Sequence, residues 1–173
     1  MNFNIFLEEA ASKYGKKIAI SCDGTNISYS KLLSEVNKFS SGLHESGVRK
    51  GDKVSILLGN RIEFVIAFFG IVRIGAIAVP INPLLLPEEV EYIIRHSLSS
   101  YFITSSDFNE HINYVEQNID EIQLIISADY KDPFGRIKRF KSVYSEKNVF
   151  LPKINQDDPC ALLYTSGTQG TLK

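Results

Sequence analysis

Apolar positions along this chain change period several times, and the changes divide it into elements. Phe3, Phe6, Leu7 and Ala10 share one helical face and Asn4 can cap its start, so a short amphipathic helix is expected first. The runs Ile18 to Cys22 and Ile27 to Tyr29 flank Asp23-Gly24-Thr25-Asn26, where Gly24 can supply the positive φ of a hairpin turn. Ser30 is the expected cap of a helix on which Leu32, Leu33, Val36, Phe39 and Leu43 repeat at three-to-four spacing until Gly47. After Gly51-Asp52, Val54 to Leu58 reads as a buried strand.

The stretch Phe64 to Ile81 is apolar apart from Arg73, and it reads as two elements. Asn60 with Glu63 forms a capping-box pattern at the start of a helix that Gly75 would end. Ala76 to Pro80 is then a short buried strand. Each piece falls well below the roughly 20 residues that span a bilayer, so no transmembrane segment is expected. Pro87, Glu88 and Glu89 open the next helix, followed by strand Tyr101 to Thr104, a weaker helix near Glu110 to Gln117 and strand Leu124 to Ser127.

Strand and helix therefore alternate from Val54 onward. Parallel strands need such crossover helices and antiparallel strands do not, so the expected fold class is α/β: a mainly parallel, doubly wound sheet with helices on both faces. Two parts are anticipated. Residues 1–50 form the first helix, hairpin and second helix, and residues 51–173 form the parallel subdomain with a Ser/Thr/Gly loop at its end.

Composition acts mainly by exclusion. With 44% hydrophobic residues, 23% charged residues and a net charge of -1, the chain is of ordinary globular type. The near-neutral balance argues against nucleic-acid binding, which calls for an excess of Lys and Arg. Cys22 and Cys160 stand at no paired-ligand spacing, so neither a disulfide framework nor a metal site is indicated and a reducing cytoplasm is the expected compartment. Glu8 and Glu9 interrupt the position of a signal peptide's apolar stretch, so no export signal is read.

Other candidates receive structural readings. Arg136, Lys138, Arg139 and Lys141 lie in the polar segment Ala128 to Asp158, where a solvated loop or short edge strand is preferred to an anionic-surface contact. His44, His96 and His111 lack partners at ligand spacing and read as surface or helix-end residues. The adjacent pairs Glu8/Glu9, Glu88/Glu89 and Asp157/Asp158 receive no catalytic role. Phe64, Phe68 and Phe69 could line an acyl tunnel, but the same spacing suits a helix packed on a sheet, which is preferred.

The densest chemistry follows the buried-strand pattern Cys160 to Tyr164. Thr165-Ser166-Gly167-Thr168-Gln169-Gly170-Thr171-Leu172-Lys173 combines hydroxyls, glycines and a Lys. Glycines let successive N–H groups converge on an anion, hydroxyls add donors and Lys adds charge, which suits a phosphate chain. A Walker A loop is excluded because Lys173 is not adjacent to Gly170, and a nucleophile elbow because Tyr164 stands where Gly is needed. Composition alone leaves a plain polar turn open beside phosphate binding.

Tyr164 to Lys173 resembles the phosphate-binding loop of the adenylate-forming, AMP-binding enzymes, whose usual form is YTSGTTGxPKG. The resemblance continues upstream. GDKVSILLGN, EFVIAFFGIVRIGAIAVPINPL and PEEVEYII are similar to the early part of bacterial long-chain fatty acid–CoA ligases. It implies the N-terminal part of the adenylate-forming fold and a two-step reaction. A carboxylate attacks the α-phosphate of ATP to give acyl-AMP and pyrophosphate, and the coenzyme A thiol then displaces AMP.

By that resemblance Thr165, Ser166, Gly167, Thr168, Gly170, Thr171 and Lys173 would cradle the β- and γ-phosphates, with ATP and Mg2+ as implied cofactors. No catalytic residue is assigned within the chain. Gln169 replaces a usual Thr, and Leu172 replaces the Pro that normally fixes φ before the Lys. The family's adenine pocket, magnesium-binding Glu, ribose-binding Asp and catalytic Lys lie further along its plan. The 173 residues are therefore expected to make no acyl-CoA and to bind nucleotide weakly. The first reading is the N-terminal part of a ligase for fatty acid and coenzyme A; the alternative is a non-catalytic remnant or binding module. In the family the first 47 or so residues pack on a later sheet, so the Leu32, Val36, Phe39 and Leu43 face is expected to pair two chains as a homodimer; the alternative is that the hairpin and helix fold back onto their own sheet as a compact monomer.

Overall fold

Val54, Ser55 and Ile56 are all buried although neighbouring side chains point to opposite faces of a strand, which requires a sheet covered on both sides. The computed structural model, which describes residues 3–131, 135–147 and 151–165, has that arrangement. Strands β3 (Lys53–Ile56), β4 (Ile77–Pro80), β5 (Ser99–Thr104), β6 (Leu124–Ser127) and β7 (Ile137–Arg139) form a five-stranded sheet in the order β4-β3-β5-β6-β7. Every pairing in it is parallel. Helices α1 (Phe3–Tyr14), α2 (Tyr29–Glu45), α3 (Ile62–Arg73), α4 (Pro87–Ser97) and α5 (Asn109–Asn118) complete the α/β plan.

The two faces of the sheet build separate cores. On one, Val54, Ile56, Tyr101, Ile103 and Ile126 meet Leu32, Phe39 and Leu43 of α2 and Ile66, Ala67 and Ile71 of α3. On the other, Val79, Phe102 and Ile125 meet Val90, Ile93 and Ile94 of α4 and Ile112 and Val115 of α5. The Phe64, Phe68 and Phe69 stripe packs against the first core. Among the described residues no helix is long and apolar enough to cross a membrane.

Several helix starts differ from expectation. The first helix already includes Phe3, so Asn4 lies inside it. Ser28, not Ser30, caps α2, its hydroxyl accepting from the Lys31 N–H at 3.3 Å. The N–H groups of Tyr29 and Ser30 are already taken by Lys17 O and Gly15 O, which moves the helix start two residues back. Arg61, not Asn60, precedes α3 and makes no side-chain cap, because a guanidinium has no acceptor to offer the helix N–H groups; it enters ion pairs instead. In α4 the Glu89 carboxylate does reach back to the Leu86 N–H, at 2.8 Å.

The hairpin of β1 (Ile18–Cys22) and β2 (Thr25–Ser28) is tighter than its sequence suggested. Asp23 and Gly24 both take positive φ, 48° and 75°, the conformation whose twist lets a two-residue turn join two strands. The basic segment supplies the edge strand β7, on which Lys138 and Arg139 are exposed. Arg136 is committed elsewhere: it donates to the carbonyls of Val115, Glu116, Ile119 and Ile122 and to the Glu116 carboxylate at the end of α5.

The face expected to pair two chains is covered within one. Leu32, Val36, Phe39 and Leu43 are buried in the same core as the sheet. At roughly 1.5–3 kcal/mol for each such side chain, this internal closure satisfies the drive that the homodimer was expected to meet. Phe39 stacks on Phe140 with ring centroids 4.2 Å apart, and α1 is tied to α3 by the Arg73–Glu8 ion pair at 2.8 Å.

Candidate functional site

Connections leaving β3 and β5 run to opposite sides of the sheet, so a topological switch point lies between these neighbours. Crevices at the carboxyl ends of such strands are the usual ligand sites of α/β sheets. Here a crevice of about 610 Å³ lies between Gly59–Glu63 after β3, Asp107 and Phe108 after β5, the hairpin tip and α2.

Its charges are compensated. Arg61 pairs with Asp129 at 2.7 Å, Asp107 at 3.3 Å and Glu63 at 3.5 Å. Burial alone would raise the Asp129 carboxyl, but the Ser106 N–H at 2.7 Å and the Arg61 guanidinium hold it below its ordinary range. Lys31, at 2.8 Å, and Lys141 both converge on the buried Glu35. Burial opposes the charge on Glu35, yet Lys141, Lys31 and Tyr144 together bring its pKa down to about 2. No cation on these walls is left over for a polyphosphate, so the network's evident work is to fasten the hairpin and α2 over the strand ends.

Cys22 closes the same crevice, with its Sγ donating to Asn60 O at 3.2 Å. Burial, and then the Asp23 carboxylate, push the thiol above its ordinary pKa, which suits a hydrogen-bonding thiol better than a nucleophile. Cys160 is free as well. Among the described residues no three His, Cys, Asp or Glu side chains could share a metal ion.

Of the phosphate-loop candidates, Thr165 is described and exposed. Ser166, Gly167, Thr168, Gly170, Thr171 and Lys173 lie outside the described residues, as do Gln169 and Leu172. The approach to the loop is well defined and corrects the expected buried strand. Ala78 N–H donates to Cys160 O at 3.0 Å and Leu162 N–H to Ala78 O at 2.8 Å, forming a single parallel bridge on the outer edge of β4. Leu162 and Leu163 are 38% and 70% exposed, as an edge position allows.

The bridge stops for a covalent reason. Ile77 and Ile81 donate inward to Asp52 and Ile56, which leaves residues 78 and 80 facing outward. The next rung would need an N–H from residue 80, and Pro80 has none. Past that point Tyr164 turns to α4, its hydroxyl lying 2.7 Å from His96 Nδ1. His96 is an exposed residue in the last turn of α4, as expected from sequence; what the sequence could not show is its partner, 68 positions away, a distance at which no spacing rule operates.

Comparison with known proteins agrees with this geometry. The family model described as AMP-binding enzyme matches residues 7–173, and the chain belongs to that family. Crotonobetaine/carnitine–CoA ligase of Salmonella paratyphi A is 34% identical over 184 residues, covering 99% of this chain and 35% of its own length. Thus the chain spans about a third of the curated relatives it matches. The crystal structure of the anthranilate CoA ligase AuaEII in complex with anthranoyl-AMP superimposes with a TM-score of 0.91 at 29% identity, covering 99% of this chain and 33% of that one. Mycobacterium tuberculosis fatty acyl CoA synthetase gives 0.82 at 25% identity, covering 95% and 32%.

Proposed function

We propose that these residues are the N-terminal third of an ATP-dependent acyl-CoA ligase. The observation that carries the reading is the reach of the family match, which runs from residue 7 through the Tyr164–Lys173 loop to residue 173. In the reaction a substrate carboxylate oxygen bonds to the α-phosphorus of ATP and the bond to pyrophosphate breaks. The coenzyme A sulfur then bonds to the acyl carbon and AMP leaves. Thr165, Ser166, Thr168 and Thr171 supply hydroxyl donors, Gly167 and Gly170 allow amides to converge, and Lys173 adds positive charge around the β- and γ-phosphates. Their work is positioning and charge stabilisation of the leaving group.

A fatty acid is the proposed acid, supported by the likeness of Gly51 to Ile94 to long-chain ligases and by the fatty acyl CoA synthetase among the structural relatives. A cytoplasmic location fits the free thiols of Cys22 and Cys160. ATP–pyrophosphate exchange tests the reading in the longer protein carrying this chain, with fatty acids, carnitine and anthranilate as competing acids. Fatty-acid-dependent exchange is expected, and exchange dependent only on another acid would replace the substrate. No acid-dependent exchange at all overturns the ligase reading. The 173 residues alone are expected to show no sustained pyrophosphate release, since they span only about a third of the relatives' length.

A further inference from the structure

Among the described residues, the segment leading to the loop is held by the sheet at one bridge. Its bridge to Ala78 ends because Pro80 lacks the donor for the next rung, so backbone pairing stops two residues before Tyr164. From there the described hold is by side chain. Tyr164 packs against the α4–α5 core, and its hydroxyl meets His96 Nδ1 at 2.7 Å. The rings also meet edge to face, with centroids 5.6 Å apart. His96 is itself stacked on Tyr92 one helical turn earlier, at 5.5 Å and 25°.

From this arrangement we infer that His96 is a positioning residue for the entry to the phosphate loop, acting through the hydroxyl of Tyr164 to fix where Tyr164 and Thr165 leave the sheet edge. The inference rests on the ligase reading for the loop's purpose, but the anchor stands on geometry alone. Its chemistry is specific. Asn at position 96 would present a polar atom near the place of Nδ1, whereas Ala presents none. His96 is exposed on a helix whose buried residues lie elsewhere, so the replacements leave the core intact.

The test uses the 173-residue protein and amide exchange at Leu162, whose N–H is bonded to Ala78 O two residues before Tyr164. His96→Ala and Tyr164→Phe should each raise exchange about five-fold, the factor for one net hydrogen bond. The double variant should be no faster than either single, and His96→Asn should restore the slow rate. Unchanged exchange in either single variant, additive effects in the double, or failure of His96→Asn to rescue would overturn the anchor. A second arm titrates inorganic pyrophosphate with Mg2+ into the longer protein carrying this chain. Where the wild-type protein binds it, both single variants should weaken binding about five-fold, and equal binding by His96→Ala would overturn the positioning role. Failure of the wild type to bind pyrophosphate would count against the loop's assigned purpose, while the exchange ratios would still decide the anchor.

Discussion

A methyl group placed on Gly42 would stand 1.5 Å from the carbonyl oxygen of Val143, so α2 and the 3-10 turn Phe140–Val143 touch backbone to backbone. That approach lets Phe140 stack on Phe39 and seals one end of the first core. Gly42→Ala should therefore force the turn off the helix and destabilise the protein by about 3 kcal/mol. Urea unfolding checks this, with Gly59→Ala as the comparison: Gly59 has no atom within 4 Å of the added methyl and should change little.

Replacing Phe39 with Asp should unfold the chain, because Phe39 is fully buried in its own protomer. Phe39→Ala should cost about 3–5 kcal/mol through lost burial and a cavity. Thermal melts at two protein concentrations report this. A loss of stability that vanishes on dilution would instead place Phe39 between chains.

Arg136 joins the end of α5 to the strand after it by donating to four backbone carbonyls and one carboxylate. Arg136→Ala should cost about 3 kcal/mol, because the helix-end carbonyls lose their donors. Arg136→Lys should recover less than half of that, since an ammonium cannot reproduce the planar fork. Chemical denaturation of both variants gives the comparison.

Glu35 is expected to make stability depend on acid. Its carboxyl has an ordinary value of 4.5 and is held at about 2 in the folded chain, so the folded state binds its proton less readily than the unfolded state does. The contribution is fully present above about pH 5 and is lost as pH falls toward 2, on the order of 2 kcal/mol once solvent screening of exposed Lys31 and Lys141 is allowed for. Urea midpoints between pH 6 and 2.5 measure it. Glu35→Gln should flatten that part of the curve.

The local periodicities were enough to determine the α/β class. Leu124 to Ser127 is a strand with the boundaries read from its apolar run, and from β3 to β6 the pairings are parallel because α3, α4 and α5 each cross over between consecutive strands; β7 joins the edge in parallel with no described helix before it. The loop motif was legible for a related reason: its residues are contiguous, so the family pattern survives in one short string. Helix starts were not, because a cap depends on which donors other segments have already taken. Ser30 is displaced by Gly15 and Lys17, and the chain's path puts Arg61, which has only donors, in the place expected of Asn60.

Only the tertiary structure decided what the charged and aromatic side chains do. Glu35 and Lys141 meet across 106 positions and His96 and Tyr164 across 68, separations at which periodicity carries no information. The same folding covers Leu32, Val36, Phe39 and Leu43 from inside, since α3 and the sheet bring enough apolar surface to that face. Sequence determined which residues would seek burial. The three-dimensional packing determined that the partner was the chain itself, because the sheet and α3 are held at the same place and need no second molecule to be brought there.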